Sequence, residues 1–174
     1  MSTAIDQVAP GVDLTAIAGK YLTFRLANEE YGVEILKVQE IIQMQEVTRL
    51  PRTPAFVRGV INLRGKVVPV IDLRLKCGMD PADATDRTCI IVVQLESPNG
   101  GSLVLGTVVD EVSEVMDILP EEIEPAPAFG ASIDTSFILG MAKRRESVRI
   151  LLDIDRLLTD RELSTIANAR GQIP

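Results

Sequence analysis

No histidine occurs anywhere in the 174 residues, and that absence removes most of the chemistry a chain of this size could carry. It removes the commonest general base, the Ser–His and Cys–His nucleophile pairs and the most usual transition-metal ligand. Carboxylates are plentiful, yet Asp72, Asp110 and Asp153 each close an apolar run, where helix capping or a turn is the ordinary role. Glu121, Glu122 and Glu124 stand in a Pro-rich acidic loop at 119–132. Cys77 and Cys89 have eleven residues between them and no C-x-x-C partner, which reads as two free thiols in a reducing compartment. Gly59 to Gly65-Lys66 superficially resembles a phosphate-binding loop. Five residues intervene instead of four, however, Val67 stands where a Ser or Thr should hold the metal, and a strand follows. Ser132, Ser136 and Ser147 lack any G-x-S-x-G setting. No catalytic residue, metal site or cofactor is expected; an enzyme built on Asp110, Asp153 or Asp155 is the alternative class.

Composition points the same way. Val and Ile supply 35 residues and aromatics only 3%, so the core must be aliphatic and the class leans to β. A formal net charge of −7 disfavours nucleic acid and anionic membrane as partners. The dense basic run Lys143-Arg144-Arg145 reads as a solvated hairpin tip. The N-terminus has no basic segment leading into a long apolar run, and no run approaches the length of a membrane span. A soluble, cytoplasmic-type chain is expected.

The elements that would position any site are short and β-patterned. Residues 1–18 are expected to form a mobile tail and 161–174 a C-terminal helix and tail, leaving one domain over 19–160. Leu22, Phe24 and Leu26 alternate with polar residues, as do Tyr31, Val33 and Ile35, which predicts a hairpin with the spacer 27–30 between. Residues 36–47 fit either a helix or a tight turn followed by a strand, and the β surroundings favour the strand. A helical turn at 55–58 is expected before the segment GVIN (59–62). Asp72 is placed to cap a short helix ending at Gly78. CIIVVQLE (89–96) and SLVLGTVVDEV (102–112) read as a second hairpin covered on both faces, continued by VSEVMDI. FILGMA (137–142) and VRILLDI (148–154) form the last apolar pair, with Asp153 or Asp155 opening a short helix. VVPVIDLRLK (67–76) and RILLDIDRLL (149–158) share a plan of strand, aspartate and Leu/Arg turn. Either two similar β units or a chance likeness explains it.

The stretch 47–76 centres these elements. Its segments GVIN and VVPVID flank Arg64-Gly65-Lys66, which is how two strands joined by a tight turn are written. Arg64 is then a charge at the lip of an apolar element, able to pair with Glu40 if their strands lie close. A chain without catalytic groups and with several strand edges binds by adding a strand or by taking a helix in an apolar groove. Core packing is the ordinary reading of Val38, Met44 and Val115 individually.

The motifs YLTFRLANEEYGVEILKVQEII (21–42), LPRTPAFVRGVINLRGKVVPVIDLR (50–74), LGTVVDEVSEV (105–115) and ILLDIDRLL (150–158) together resemble the CheW-like coupling proteins of bacterial chemosensory arrays. The resemblance spans about Tyr21 to Leu158. It implies an all-β fold of two interlocked, five-stranded SH3-like barrels packed on a shared aliphatic seam. It also implies a non-catalytic adaptor linking the cytoplasmic tip of methyl-accepting chemoreceptors to the regulatory domain of the CheA histidine kinase, recruited to membrane-associated arrays without inserting into the membrane. A scaffold of a related non-flagellar pathway is the alternative. By motif, the receptor-facing positions map onto Val38, Glu40, Gly59, Arg64 and Val115. The valines would supply groove wall, Gly59 would allow close backbone approach, and Arg64 and Glu40 would orient the rim. No motif carries over for the kinase-facing surface.

Overall fold

The computed structural model describes residues 13–96, 100–126 and 136–171. Residues 1–12 and 172–174 of the expected tails, 97–99 of the second turn and 127–132 of the acidic loop lie outside the described residues. Residues 14–17 of the expected N-terminal tail form a helical turn, α1 (Leu14–Ile17), capped by Asp13. Leu14, Ile17 and Ala18 pack onto the core beside Tyr21.

Two antiparallel strands follow, β1 (Gly19–Leu26) and β2 (Glu29–Glu34). Their turn is tighter than the four-residue spacer expected. Glu29 and Glu30 pair with Leu26 and Arg25, and Ala27 takes the positive φ that a two-residue connection demands. A single 3-10 turn (Ile35–Lys37) leads into β3 (Val38–Gln43), which settles residues 36–47 as turn and strand. Residues 55–58 do not form the expected helical turn: Ala55 and Phe56 make a plain turn, and β4 (Val57–Leu63) already begins at Val57. β5 (Lys66–Asp72) returns antiparallel and ends in α2 (Leu73–Lys76), where Asp72 accepts hydrogen bonds from the Arg74 and Leu75 N–H groups.

β6 (Cys89–Glu96) and β7 (Ser102–Val109) form the second hairpin. The run expected to continue through 112 and beyond breaks at Asp110. β8 (Glu111–Ile118) leaves that sheet and pairs with β1 in the other. The two-residue β9 (Ile123–Glu124), β10 (Ile138–Arg144) and β11 (Ser147–Leu152) follow. Asp153, not Asp155, caps the next 3-10 turn (Ile154–Arg156), and α3 (Asp160–Gly171) buries Ile166.

The strands form two sheets, ordered β8-β1-β2-β11-β10-β9 and β3-β6-β7-β5-β4. These orders are the same order. Thr48, bridged to Val60, stands outside β4 as β9 stands outside β10. Each sheet has one parallel pair at the same place, β5 with β7 and β11 with β2. The correspondence extends to single residues. Val57, Gly59, Ile71 and Asp72 match Ile138, Gly140, Leu152 and Asp153, with a register shift after the first residue of each set. Asp72 N–H donates to Phe56 C=O at 2.7 Å, and Asp153 N–H donates to Phe137 C=O at 2.7 Å. The shared plan of 67–76 and 149–158 is therefore the visible part of a complete duplication.

Each repeat places its first two strands in one sheet and its later strands in the other, so the two sheets are interlocked. Among the described residues no pairing joins the outer strands of either sheet. Between the sheets lies the shared aliphatic seam, built from Leu22, Phe24, Leu26, Ile91, Val93 and Leu105 among others. Each fully buried aliphatic contributes about 1.5–3 kcal/mol of transfer free energy. Separate clusters fill the other face of each sheet, around Ile61, Val68 and Ile90 in one and Tyr21, Met116 and Leu151 in the other. Among the described residues no helix is long and apolar enough to cross a membrane.

Candidate partner-docking cleft

Along β3, Glu40 and Ile42 pair with Val92 and Ile90 and share their face of the sheet, whereas the bulge at Gln39 puts Val38 opposite Val93 and on the seam face. On the far side of the same sheet, β4 and β5 meet at Arg64-Gly65. Both residues have positive φ, 52° and 85°, the pair of left-handed conformations of a type I′ turn, and Asn62 accepts the Gly65 N–H at 2.8 Å. The turn thrusts Arg64 outward. Although β3 and β4 are opposite outer strands in the pairing order, the sheet curls enough to bring their side chains together.

Arg64 and Glu40 meet there as a bidentate pair. Nη1 donates to Oε1 and Oε2 at 3.0 and 2.7 Å, and Nη2 to the same oxygens at 2.7 and 2.8 Å. The pair spans a cleft of about 660 Å³ walled by Leu63, Val67, Val68 and Val104, with Gln39, Lys66 and Ser102 at the rim. The Arg64 side chain is two-thirds exposed. Its contribution to stability is that of a surface ion pair, up to about 1 kcal/mol.

The five positions singled out by motif stand in different surroundings. Glu40 and Arg64 touch. Val38 lies across the bulge from Glu40, opposite Val93, and packs on the shared seam. Val115 sits on β8 in the other sheet, opposite Leu22 and half exposed. Gly59 is buried with φ +139°, and what approaches it is the chain's own Thr48. A Cβ there would stand 1.9 Å from the Thr48 carbonyl oxygen. Lys66, Val67 and Val104 at the cleft escaped the sequence reading, because strand alternation assigns a residue to a face but does not show which outer strands curl together.

The carboxylates that could suggest chemistry are held by structure. Asp72 is buried, caps α2 and receives Arg58 Nη1 at 3.1 Å. Asp110 joins the sheets, accepting from Ala27 N–H and Arg74. Burial pushes its pKa up, but the Arg74 and Ala27 hydrogen bonds outweigh that and hold it below the usual carboxylate range. Asp153 is raised by burial and by Asp155, while Asp155 receives Lys37 Nζ at 2.8 Å. Burial pushes the Cys77 thiol up to about 11, so it stays protonated and unreactive near neutral pH. Among the described residues no cluster of His, Cys, Asp and Glu could hold a metal ion. In the basic run at 143–145, Lys143 and Arg145 are exposed, Lys143 pairs with Glu124 and Arg144 pairs with Glu122.

The sequence model of one protein family, the CheW-like domain, matches residues 20–162. The chain belongs to the CheW-like family. Its relatives include the chemotaxis protein CheW of Klebsiella aerogenes, 42% identical over 87% of this chain and 89% of that protein. Chemotaxis protein CheW of Bacillus subtilis is 34% identical over 85% and 91%. Among solved structures, the scaffolding protein TtCheW of Thermoanaerobacter tengcongensis is 36% identical with a TM-score of 0.72, covering 83% of this chain and 95% of that one. The two-sheet architecture is thus that of the CheW-like family, and the expected all-β class holds.

Proposed function

We propose that the protein is a non-catalytic chemotaxis adaptor that couples methyl-accepting chemoreceptors to the regulatory domain of a CheA-type histidine kinase. One observation carries the receptor half of this reading. In a chain of the CheW-like family, Glu40 and Arg64 clasp across the mouth of a cleft with apolar walls. Such a mouth suits a helix of the receptor tip, with Val67 and Val104 taking its apolar side chains. Val38 and Gly59 act from behind it: Val38 packs the base of β3 on the seam, and Gly59 seats Thr48 against β4. Val115, exposed on the other sheet, supplies a second apolar contact. The kinase contact is made between domains of like fold. The protein works in the cytoplasm, recruited to membrane-associated arrays through the receptor.

Reconstitution tests the reading. Purified kinase, receptor-tip fragments and this protein are mixed and kinase autophosphorylation is followed. Receptor control of the kinase should appear only when the protein is added and should weaken with Arg64→Glu. Control that is unchanged by adding the protein sinks the proposal.

A further inference from the structure

Because the fold is duplicated, the cleft at Arg64 has a counterpart in the other sheet, and the difference between the two mouths is informative. The offset that matches Asp72 to Asp153 matches Arg64 to Arg145, Lys66 to Ser147 and Val67 to Val148. Both arginines hold a positive φ, 52° and 58°. β3 and β8 also correspond. Glu40 lies beside Val92, and Glu114 lies beside Thr23, whose hydroxyl bonds its backbone; one residue is bulged out just before each. A smaller cleft lies at this second mouth, lined by Glu114, Met116, Arg145, Glu146 and Ser147 among others.

The charges differ. At the first mouth the Arg64 charge is balanced by the Glu40 carboxylate, which both Nη groups share. Lys66 has no ion-pair partner among the described residues, so it is the cation in excess. At the second mouth Glu114 and Glu146 line the cleft with Arg145, and with the other two arginines paired elsewhere the excess is negative. Arg144 is engaged by Glu122 and Arg149 by Glu30. In a chain of net charge −7, the first mouth is a local reversal of sign.

We infer that Lys66 and Val67 determine which helix the first cleft accepts. Lys66 pairs with a carboxylate on the docked receptor helix, and exposed Val67 packs against an apolar side chain beside it. Arg64 orients the rim through Glu40 and does not itself meet the partner's charge. The same acidic helix is turned away from the second mouth by like charge. This inference rests on the receptor reading above.

The test uses the full chain and a helical-hairpin fragment of a receptor tip from the same organism. Affinity is measured for wild type, Lys66→Gln and Lys66→Glu over a range of salt, with thermal melting of each variant. A rim ion pair predicts about two- to five-fold weaker binding for Lys66→Gln. Lys66→Glu, which adds repulsion, should weaken it about ten-fold, with the loss shrinking as salt rises and melting unchanged. A Glu-to-Lys change in the receptor fragment should restore binding to Lys66→Glu. Wild-type binding that Lys66→Glu leaves intact overturns the assignment of Lys66 alone. Absence of binding by wild type removes the receptor reading and this inference with it.

Discussion

Gly59→Ala should be among the most damaging single-methyl additions to this chain, and the structure gives its size. The added Cβ would stand 1.9 Å from the Thr48 carbonyl oxygen, 2.6 Å from its carbon and 2.9 Å from the Arg49 Cα. All three are backbone atoms, so no rotamer change relieves the clash. The Thr48 segment must withdraw from β4, which breaks the two hydrogen bonds it exchanges with Val60 at 2.9 and 2.8 Å. Each is worth about 1 kcal/mol net. Holding an alanine at φ +139° costs about 1–2 kcal/mol more. The total is about 3–4 kcal/mol, which for a chain of this size lowers Tm by roughly 10 °C. Gly65→Ala is the control, since φ there is +85° but nothing lies within 4 Å of the new methyl. It should cost about 1 kcal/mol, or roughly 3 °C. Thermal melts followed by circular dichroism read both. Equal shifts for the two variants would refute the close-approach argument.

Three further outcomes follow from the side-chain geometry. A double-mutant cycle of Glu40→Ala and Arg64→Ala in urea should give a coupling of at most about 1 kcal/mol, because the pair is exposed. Asp72→Ala removes an N-cap and leaves the Arg58 charge without its buried partner. It should destabilise by about 3–5 kcal/mol, and a urea midpoint close to wild type would contradict that. Glu122 is held at about 2 by hydrogen bonds from the Arg144 guanidinium and the Leu119 N–H. Its depressed pKa contributes stability that is complete above the ordinary value near 4.5 and is lost as pH falls through about 2. Wild type and Glu122→Gln should therefore differ in stability at pH 6 and converge by pH 2; a constant gap across that range would show that the charge is not responsible.

Much of the strand pattern was legible because it is local. Period-two alternation at Leu22, Phe24 and Leu26 and the turn residues at Arg64-Gly65 act within a few residues, and so does the capping reach of Asp72. The break at Asp110 was not legible. Val109 and Val112 continue a β-branched run across it, and what ends the strand is a set of distant partners, Ala27 and Arg74, that only the folded chain brings near. The duplication showed only at 67–76 and 149–158, where strand, cap and turn keep the same spacing. Elsewhere different side chains fill equivalent places, as Val92 and Thr23 do, so the repeat is visible in register and not in residue type. The meeting of Glu40 with Arg64 was readable as a possibility of charge. Its geometry depends on how far a sheet curls, which no short window of sequence encodes.

The exchange of strands between sheets also sets an order of events on the ribosome. All five strands of the sheet β3-β6-β7-β5-β4 are complete once Val109 has been synthesised, whereas β1 and β2 must wait for β8 to β11 to complete theirs. At about 5–20 residues per second the interval between the end of β2 and the start of β8 lasts about 4–15 s. During it the apolar side of the first hairpin has only the seam to cover it, so the nascent five-stranded sheet serves as its holder. Chains arrested at residue 110, clear of the exit tunnel, should show slow amide exchange in β6 and β7. The amides of β1 that await β8 should exchange freely, and protection of those amides before β8 exists would contradict this order.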